Sequence, residues 1–257
     1  MLEGAIMSEL SIAIIGYGRM GRQLRLAAKE EGVAVISAID PNDADADYKE
    51  ITAESLKGAD VAVDFSSAGS VMENMAKAAA LGKHMVIGTT GWYGRIAEAE
   101  RLAGARNIGV VYGPNFSIGM NLFFRAVDYA SYLFNKAPEY DAYIYESHHS
   151  GKADAPSGTA LELGRILLRN VKGKRRLLTG RLEGRIKKDE IHVVSLRAGS
   201  NPGTHTVGFD SEYDCIELSH SSRGRAAYAK GALRAAEWIR DKKGLHTFSE
   251  LIDEIIR

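Results

Sequence analysis

Residues 11–21 read Ser-Ile-Ala-Ile-Ile-Gly-Tyr-Gly-Arg-Met-Gly, an apolar run that stops on a glycine. The segment behind it, residues 22–31, has helical spacing through Leu24, Ala27 and Ala28. A strand, a tight turn and a helix therefore follow one another. The turn Gly16-Tyr17-Gly18-Arg19-Met20-Gly21 has the G-x-G-x-x-G spacing, and Asp40 closes the next apolar run. Gly16 permits the tight turn, Gly18 lets backbone amides approach a pyrophosphate, Gly21 lets the helix pack closely, and the helix N-terminus favours negative charge. Asp40 is suited to accept hydrogen bonds from an adenosine ribose. A glycine turn that serves packing alone is the competing reading. Strand, turn, helix, strand and acid in register favour a bound dinucleotide. Pro41 and Asn42 follow Asp40, so the cation that would welcome a 2′-phosphate is missing there, although Arg19 has reach from the turn. The expected cofactor is NADH ahead of NADPH, with use of both open.

The alternation continues outward. Strand-like runs at 33–39, 61–65, 84–87 and 108–112, with a helical run at 70–81, predict a doubly wound parallel sheet of the Rossmann-like α/β class, covered on both faces. Gly88-Thr89-Thr90-Gly91 and Gly113-Pro114-Asn115-Phe116 each follow a strand, on the carboxyl edge where such sheets bind ligands. They are candidate walls of a nicotinamide pocket; taken singly, each is also an ordinary βα loop. After Asn115 the rhythm changes. A helix over 119–135 leads into strand-like runs at 140–147, 190–197, 203–210 and 213–219, which predicts a second α+β domain with a mixed, mostly antiparallel open sheet. Helical spacing returns over 228–241 and 248–256, a tail able to pack back on the first domain. The expected division is a dinucleotide-binding domain at 8–115 plus 226–257, and a substrate-binding and oligomerisation domain at 116–225. Residues 173–188 are rich in Lys, Arg and Gly but hold no aromatic residue to stack on a base, and read as a solvated loop.

A chain of 257 residues with 45% apolar content has room for two modest cores. Its 33 basic and 33 acidic residues balance, which removes the electrostatic case for a nucleic acid or a membrane surface and leaves a small molecule as the expected partner. No apolar run approaches the ~20 residues that span a bilayer, and no signal peptide precedes the first strand, so the expected location is cytoplasmic. The single cysteine, Cys215, has no disulfide partner within the chain and lies in a strand-like run, where a small buried side chain is expected rather than a catalytic thiol. Residues 1–7 end in a second methionine and are set aside as an expression scar or an alternative start.

Residues 146–160, Glu-Ser-His-His-Ser-Gly-Lys-Ala-Asp-Ala-Pro-Ser-Gly-Thr-Ala, gather two imidazoles and an ammonium between a strand end and a helix start. Pro156 and Ser157 stand where that helix begins, ahead of the spacing Ala160, Leu163, Ile166 and Leu167. The amides of Gly158 and Thr159 would then point outward as an anion receptor, suited to a carboxylate. Adjacent histidines on an extended strand face opposite ways, which makes joint chelation awkward, and no metal is expected. Histidines that are merely hydrogen-bonded in a core or at a surface are the plain alternative.

The run His148-His149 with Lys152 and Asp154 to Ala160 resembles the signature of the dihydrodipicolinate (4-hydroxy-tetrahydrodipicolinate) reductase family. The Gly-Arg-Met-Gly turn, Asp64-Phe65-Ser66, Gly88 to Gly91 and Asn115-Phe116-Ser117 precede it in the family's order. Arg197-Ala-Gly199, Gly203 to Val207, His220 and the segment Arg225 to Trp238 follow it. The likeness spans roughly residues 11–250, and its central motif is long enough that chance explains it poorly. It implies reduction of 4-hydroxy-tetrahydrodipicolinate to tetrahydrodipicolinate with NADH or NADPH in lysine and diaminopimelate biosynthesis. It further implies His148 as catalytic, Lys152 as proton donor, and His149, Ser157, Gly158 and Thr159 as holders of a dicarboxylate substrate. Nucleotide contacts are implied from Gly16 to Gly21, Asp40, Phe65, Ser66, Gly88, Thr89, Thr90, Gly113, Pro114, Asn115, Phe116 and Arg225, and a homotetramer through the second-domain sheets. One departure is visible: the glycine turn is a residue shorter than the G-x-x-G-x-x-G form common in the family. Two rivals remain. A two-domain amino-acid dehydrogenase would use the same turn without needing the histidine and lysine cluster, and a nucleotide sensor would bind NADH without turnover.

Overall fold

Strands β1 (Ser11–Ile15), β2 (Ala34–Ile39), β3 (Val61–Asp64), β4 (His84–Ile87), β5 (Gly109–Tyr112) and β11 (Gly244–Thr247) form one sheet in the order β11-β5-β4-β3-β1-β2, every neighbouring pair parallel. The coordinates are those of a computed structural model that describes residues 10–257. The expectation for residues 1–7 falls outside the described residues.

The central strands of this sheet, β1, β3, β4 and β5, are largely apolar on both sides because both faces are covered. Ile12, Ile14, Val63, Val86 and Val111 face one core, with Leu24 and Ala27 of α1 (Arg19–Glu31) and Leu233 and Ile239 of α6 (Ala226–Ile239). Ala13, Ile15, Ala62, Met85 and Val110 face the other, with Met75 of α2 (Val71–Ala80) and Ala99 and Ala103 of α3 (Ile96–Arg106). A last helix, α7 (Phe248–Ile255), starts with a capping box in which Thr247 and Glu250 satisfy each other's backbone donors. Two elements escape sequence pattern: α3 buries little more than alanines, and β11 has four half-buried residues.

The chain separates into two units, one running to Ile118 and resuming at Arg225–Arg257, the other Gly119–Gly224. In the second unit, α4 (Ile118–Phe134) and α5 (Gly158–Asn170) pack on a sheet of β6 (Asp141–His148), β7 (Arg176–Leu178), β8 (Glu190–Arg197), β9 (Thr204–Asp210) and β10 (Cys215–Ser221). The order is β10-β9-β6-β8-β7. This sheet is mixed as expected, but not mostly antiparallel: β10-β9 and β9-β6 run antiparallel, β6-β8 and β8-β7 parallel. A helix does intervene after β6, and a crossover of that length returns the chain in the same direction. Ile144, Val193, Val207 and Phe209 bury one face against Phe123 and Val127 of α4 and Leu163 and Leu167 of α5.

Two further expectations are corrected. Cys215 is exposed, because the register sets it opposite Asp210 on the outermost strand, on the face away from the helices. Residues 173–188 are mostly exposed yet hold β7, which pairs with β8. Among the described residues no helix is long and apolar enough to cross a membrane.

Candidate active site

The order of the first sheet reverses beside β1, with β2 on one side and β3 on the other, and such a switch point opens a crevice at the carboxyl edge. The crevice is a cavity of about 520 Å³ lined by Gly16, Gly18, Asp40, Lys49, Phe65 and Ser66 among others. At Gly16, φ is +87° and a Cβ would lie 2.5 Å from the Phe65 carbonyl oxygen; at Gly21 it would lie 2.2 Å from that of Gly16. Neither place admits a side chain. Gly18 has open space above it. Asp40 accepts from the amides of Tyr17 (2.8 Å) and Asn42 (2.9 Å). Burial works to raise its carboxyl, but these amides and the Lys49 ammonium outweigh it and hold it below the ordinary range. Asp40 therefore stays an anionic acceptor beside the cavity.

The other predicted nucleotide residues fall differently. The Tyr17 ring is buried in the core under the guanidinium groups of Arg22 and Arg25, each 4.8 Å from its centroid. Arg19 is exposed and Met20 half-buried at the start of α1. Gly88, Thr89 and Thr90 follow β4, and Gly113, Pro114 and Asn115 follow β5, along the same carboxyl edge but outside the cavity lining. Phe116 is core, packed on Phe248 at 4.6 Å and edge-on to Phe65 at 6.3 Å. Arg225 is exposed just before α6. Sequence reading assigned no role to Asp64, which is fully buried at the end of β3. One of its oxygens accepts from the Ser66 amide (2.9 Å), Ser66 Oγ (2.7 Å) and Thr89 Oγ1 (2.8 Å), the other from Asn74 Nδ2 (2.9 Å). It ties two edge loops together. The signal for it was a charged residue ending an otherwise apolar strand.

In the second unit the chemical residues collect at the carboxyl end of β6. Alternation puts Ala142, Ile144, Glu146 and His148 on the helix-covered face. Register sets His205 of β9 opposite Glu146, and Arg197 of β8 opposite His148. Glu146 is completely buried. Its Oε1 accepts from Arg197 Nη2 (2.7 Å) and the Ser157 amide (3.2 Å), and its Oε2 lies against His148 Nδ1. Burial opposes ionisation of Glu146, but Arg197, Ser195 and the Ser157 amide overcome it and hold its carboxyl below the usual range. His148 is pulled the other way: burial lowers its imidazole, Glu146 works against that, and Lys152 and Arg197 add to the lowering. His205, buried beside His148 with ring centroids 5.0 Å apart, is pushed down to about 4 and is neutral near pH 7.

The loop after β6 returns to this cluster. His149, half-buried, is fixed by its amide to the Asn201 carbonyl (2.8 Å). Lys152 Nζ donates to Asp154 Oδ1 (2.7 Å), and the Asp154 carbonyl accepts from Arg197 (2.6 Å). Ser157 caps α5, accepting from the Ala160 amide (3.2 Å), and its Oγ lies 3.1 Å from His205 Nε2. The amides of Gly158 and Thr159 then open the first turn, where no carbonyl of the helix can receive them. The arrangement offers two outward amides, an ammonium and a buried imidazole: an anion receptor beside proton-transfer groups. Sequence reading brought His148, His149, Lys152 and Ser157 to Thr159 together; it placed Arg197 and His205 within the family likeness but assigned no role to them or to Glu146. Among the described residues, Glu146, His148 and His205 are also the group whose ligand-type atoms gather, within 4.8 Å of one another. Arg197 already neutralises that carboxylate, so a hydrogen-bonded network is the reading that suits the contacts.

Two family models match this chain in succession: dihydrodipicolinate reductase, N-terminus, over residues 10–116, and dihydrodipicolinate reductase, C-terminus, over residues 119–252. Among curated relatives, the 4-hydroxy-tetrahydrodipicolinate reductase of Archaeoglobus fulgidus is 37% identical, over 95% of this chain and 100% of the relative. That of Christiangramia forsetii is 32% identical, over 96% and 100%. Among solved structures, a dipicolinate-bound dihydrodipicolinate reductase from Paenisporosarcina sp. TG-14 superposes with a TM-score of 0.76 at 24% identity, covering 93% of this chain and 97% of that one. A diaminopimelate dehydrogenase of C. glutamicum gives 0.54 at 16% identity, covering 97% and 99%. At such identities both structures speak for the fold alone.

Proposed function

The chain belongs to the dihydrodipicolinate reductase family, and from that premise we propose that it reduces 4-hydroxy-tetrahydrodipicolinate to tetrahydrodipicolinate in lysine and diaminopimelate biosynthesis. The observation that carries the reading is the run His148 to Thr159, folded so that the capped N-terminus of α5 and the buried imidazole meet through Ser157 and Glu146. A dicarboxylate suits the amides of Gly158 and Thr159, with His149 and Ser157 beside them. Loss of the 4-hydroxyl as water leaves a conjugated ring that takes a hydride at C4 and a proton at C3. A bound reduced nicotinamide supplies the hydride. Lys152 delivers the proton to C3, and His148 aids its transfer and polarises the nearby carboxylate.

The nucleotide enters this proposal through the 520 Å³ cavity, whose glycine turn and anionic Asp40 suit a pyrophosphate and an unmodified ribose. NADH is the preferred form. Lys49 lines the same cavity with an exposed ammonium, bonded for now to the Asp43 carbonyl, and offsets Asp40 enough for NADPH to be used as well. Gly88 to Thr90, Gly113 to Phe116 and Arg225 complete the proposed nucleotide contacts. A homotetramer is part of the reading: on the sheet face away from the helices, Tyr145, Val194 and Leu196 are 40%, 46% and 58% exposed, an apolar strip suited to a second copy. A sedimentation mass of one 27.9 kDa chain would reject the tetramer, and cell fractionation tests the cytoplasmic location.

The reaction is tested by making the substrate in place from pyruvate and aspartate semialdehyde with the preceding synthase, while NADH and NADPH absorbance are followed separately. Oxidation that depends on the synthase and collapses in His148→Ala is expected. Tight NADH binding with no such oxidation would turn the reading toward another substrate or a nucleotide sensor.

A further inference from the structure

A fully buried carboxylate is costly unless its charge is answered, so the way Glu146 is used is informative. Its Oε1 already has the Arg197 guanidinium and the Ser157 amide. That alone would anchor a structural ion pair. Its Oε2 lies against His148 Nδ1, and Ser195 also supports the carboxylate. A carboxylate oxygen only accepts, so the nitrogen against it must carry the proton. The neutral imidazole then holds its lone pair on Nε2. On that side stands Gly203, at φ +147°, where a Cβ would lie 2.8 Å from Nε2. The edge is kept clear of side chain at the cost of an unusual backbone conformation.

We propose that Glu146, oriented by Arg197, is a positioning residue for the reduction: it locks His148 as the Nδ1–H tautomer, presents Nε2 as the working nitrogen, and supports the imidazolium when that nitrogen takes a proton. The inference rests on His148 being the working imidazole. The charged and titratable groups around that ring are Glu146 on its own strand, Arg197 on β8, His205 on β9 with His220 behind it, and Lys152 on the loop, itself paired with Asp154. Of these only Glu146 raises the imidazole; burial, Lys152 and Arg197 lower it. Removing the carboxylate charge therefore moves the His148 titration to lower pH.

The first measurement needs no substitution at Glu146. ¹⁵N shifts of the imidazoles in the whole wild-type protein near pH 7, with the His148 signal identified by its loss in His148→Gln, are expected to show Nδ1 protonated and Nε2 bare. The opposite tautomer overturns the proposal. Glu146→Gln is then expected to shift the His148 titration and the matching limb of the kcat pH profile to lower pH. It should lower kcat by on the order of 10²-fold, the low end of what a placed acid–base group contributes, with little change in KM. Glu146→Asp, which keeps the charge, should recover part of kcat and the titration. If Glu146→Gln leaves both titration and kcat in place and instead weakens dipicolinate binding, Glu146 only holds Ser157 and α5, and the proposal fails. Failure of the functional reading is separate: it would appear as undiminished turnover in His148→Ala, whatever tautomer the wild type shows.

Discussion

At the carboxyl edge of the first sheet, the cavity combines the backbone of the glycine turn at Gly16 and Gly18 with groups from the neighbouring loops, among them Asp40, Lys49 and Ser66. At the end of β6 the cluster is built of buried and half-buried side chains drawn from distant parts of the chain: Glu146 and Arg197 stand 51 residues apart, and Ser157 and His205 stand 48 apart. A backbone site is specified by where side chains are missing, and it tolerates little change of shape. A side-chain site is specified by register across strands, and there a single buried charge decides the state of its neighbours. The difference teaches that the two proposed sites are open to separate damage.

Lys152→Ala is the strongest test of that separation. Turnover should fall by ~10²–10⁴-fold, the usual weight of a positioned proton donor, while NADH affinity measured by fluorescence titration stays unchanged. A comparable loss of nucleotide affinity would mean the two sites are not separately built, and near-normal turnover would end the assignment of Lys152 as proton donor.

Acid exposes the side-chain site next. His205 titrates at about 4 in the folded protein against an ordinary 6.5. Above 6.5 it is neutral in both folded and unfolded chains and its contribution is whole. As pH falls from 6.5 toward 4, the unfolded chain takes up a proton that the folded one refuses, and stability drains by up to ~3 kcal/mol. Urea denaturation across that window should show a steeper decline in the wild type than in His205→Gln; parallel declines would show that burial of this ring carries no such cost.

On the nucleotide side, Lys49→Met should weaken NADPH binding about tenfold, the worth of one charge-assisted hydrogen bond, and leave NADH binding as it was. Equal losses for both nucleotides would place Lys49 on something other than a 2′-phosphate. The smallest effect is expected at the cap of α5. Ser157→Ala removes the bond to the Ala160 amide and should cost ~1 kcal/mol in urea stability, with weaker dipicolinate binding; an unchanged protein would show that the cap is replaceable.

Much of this was legible in the chain. Each predicted strand of the first sheet formed within a residue of its expected bounds, since an apolar run between turns, buried on both faces, needs no distant partner to declare itself. The start of α5 was readable from Pro156, Ser157 and the apolar spacing behind them. Cys215 was misjudged because strand character does not say which face of which strand is covered, and β10 turned out to be the outermost. The parallel half of the second sheet was missed because α5 was read as the site's anion-binding end and not also as a crossover.

What the sequence by itself determined is local: the glycine turn, the alternation of strand and helix, the cap of α5, and the run His148 to Thr159 with its family likeness. The turn, the alternation and the cap are settled by steric limits and periodicity among near neighbours, the likeness by the order of residues in the run. Only the tertiary structure decided that β1 and β3 flank the cavity, that Asp64 ties two loops, and that Glu146, Arg197 and His205 surround His148. Those depend on strand order and register, which are fixed by how whole faces bury against one another and not by any residue's neighbours along the chain.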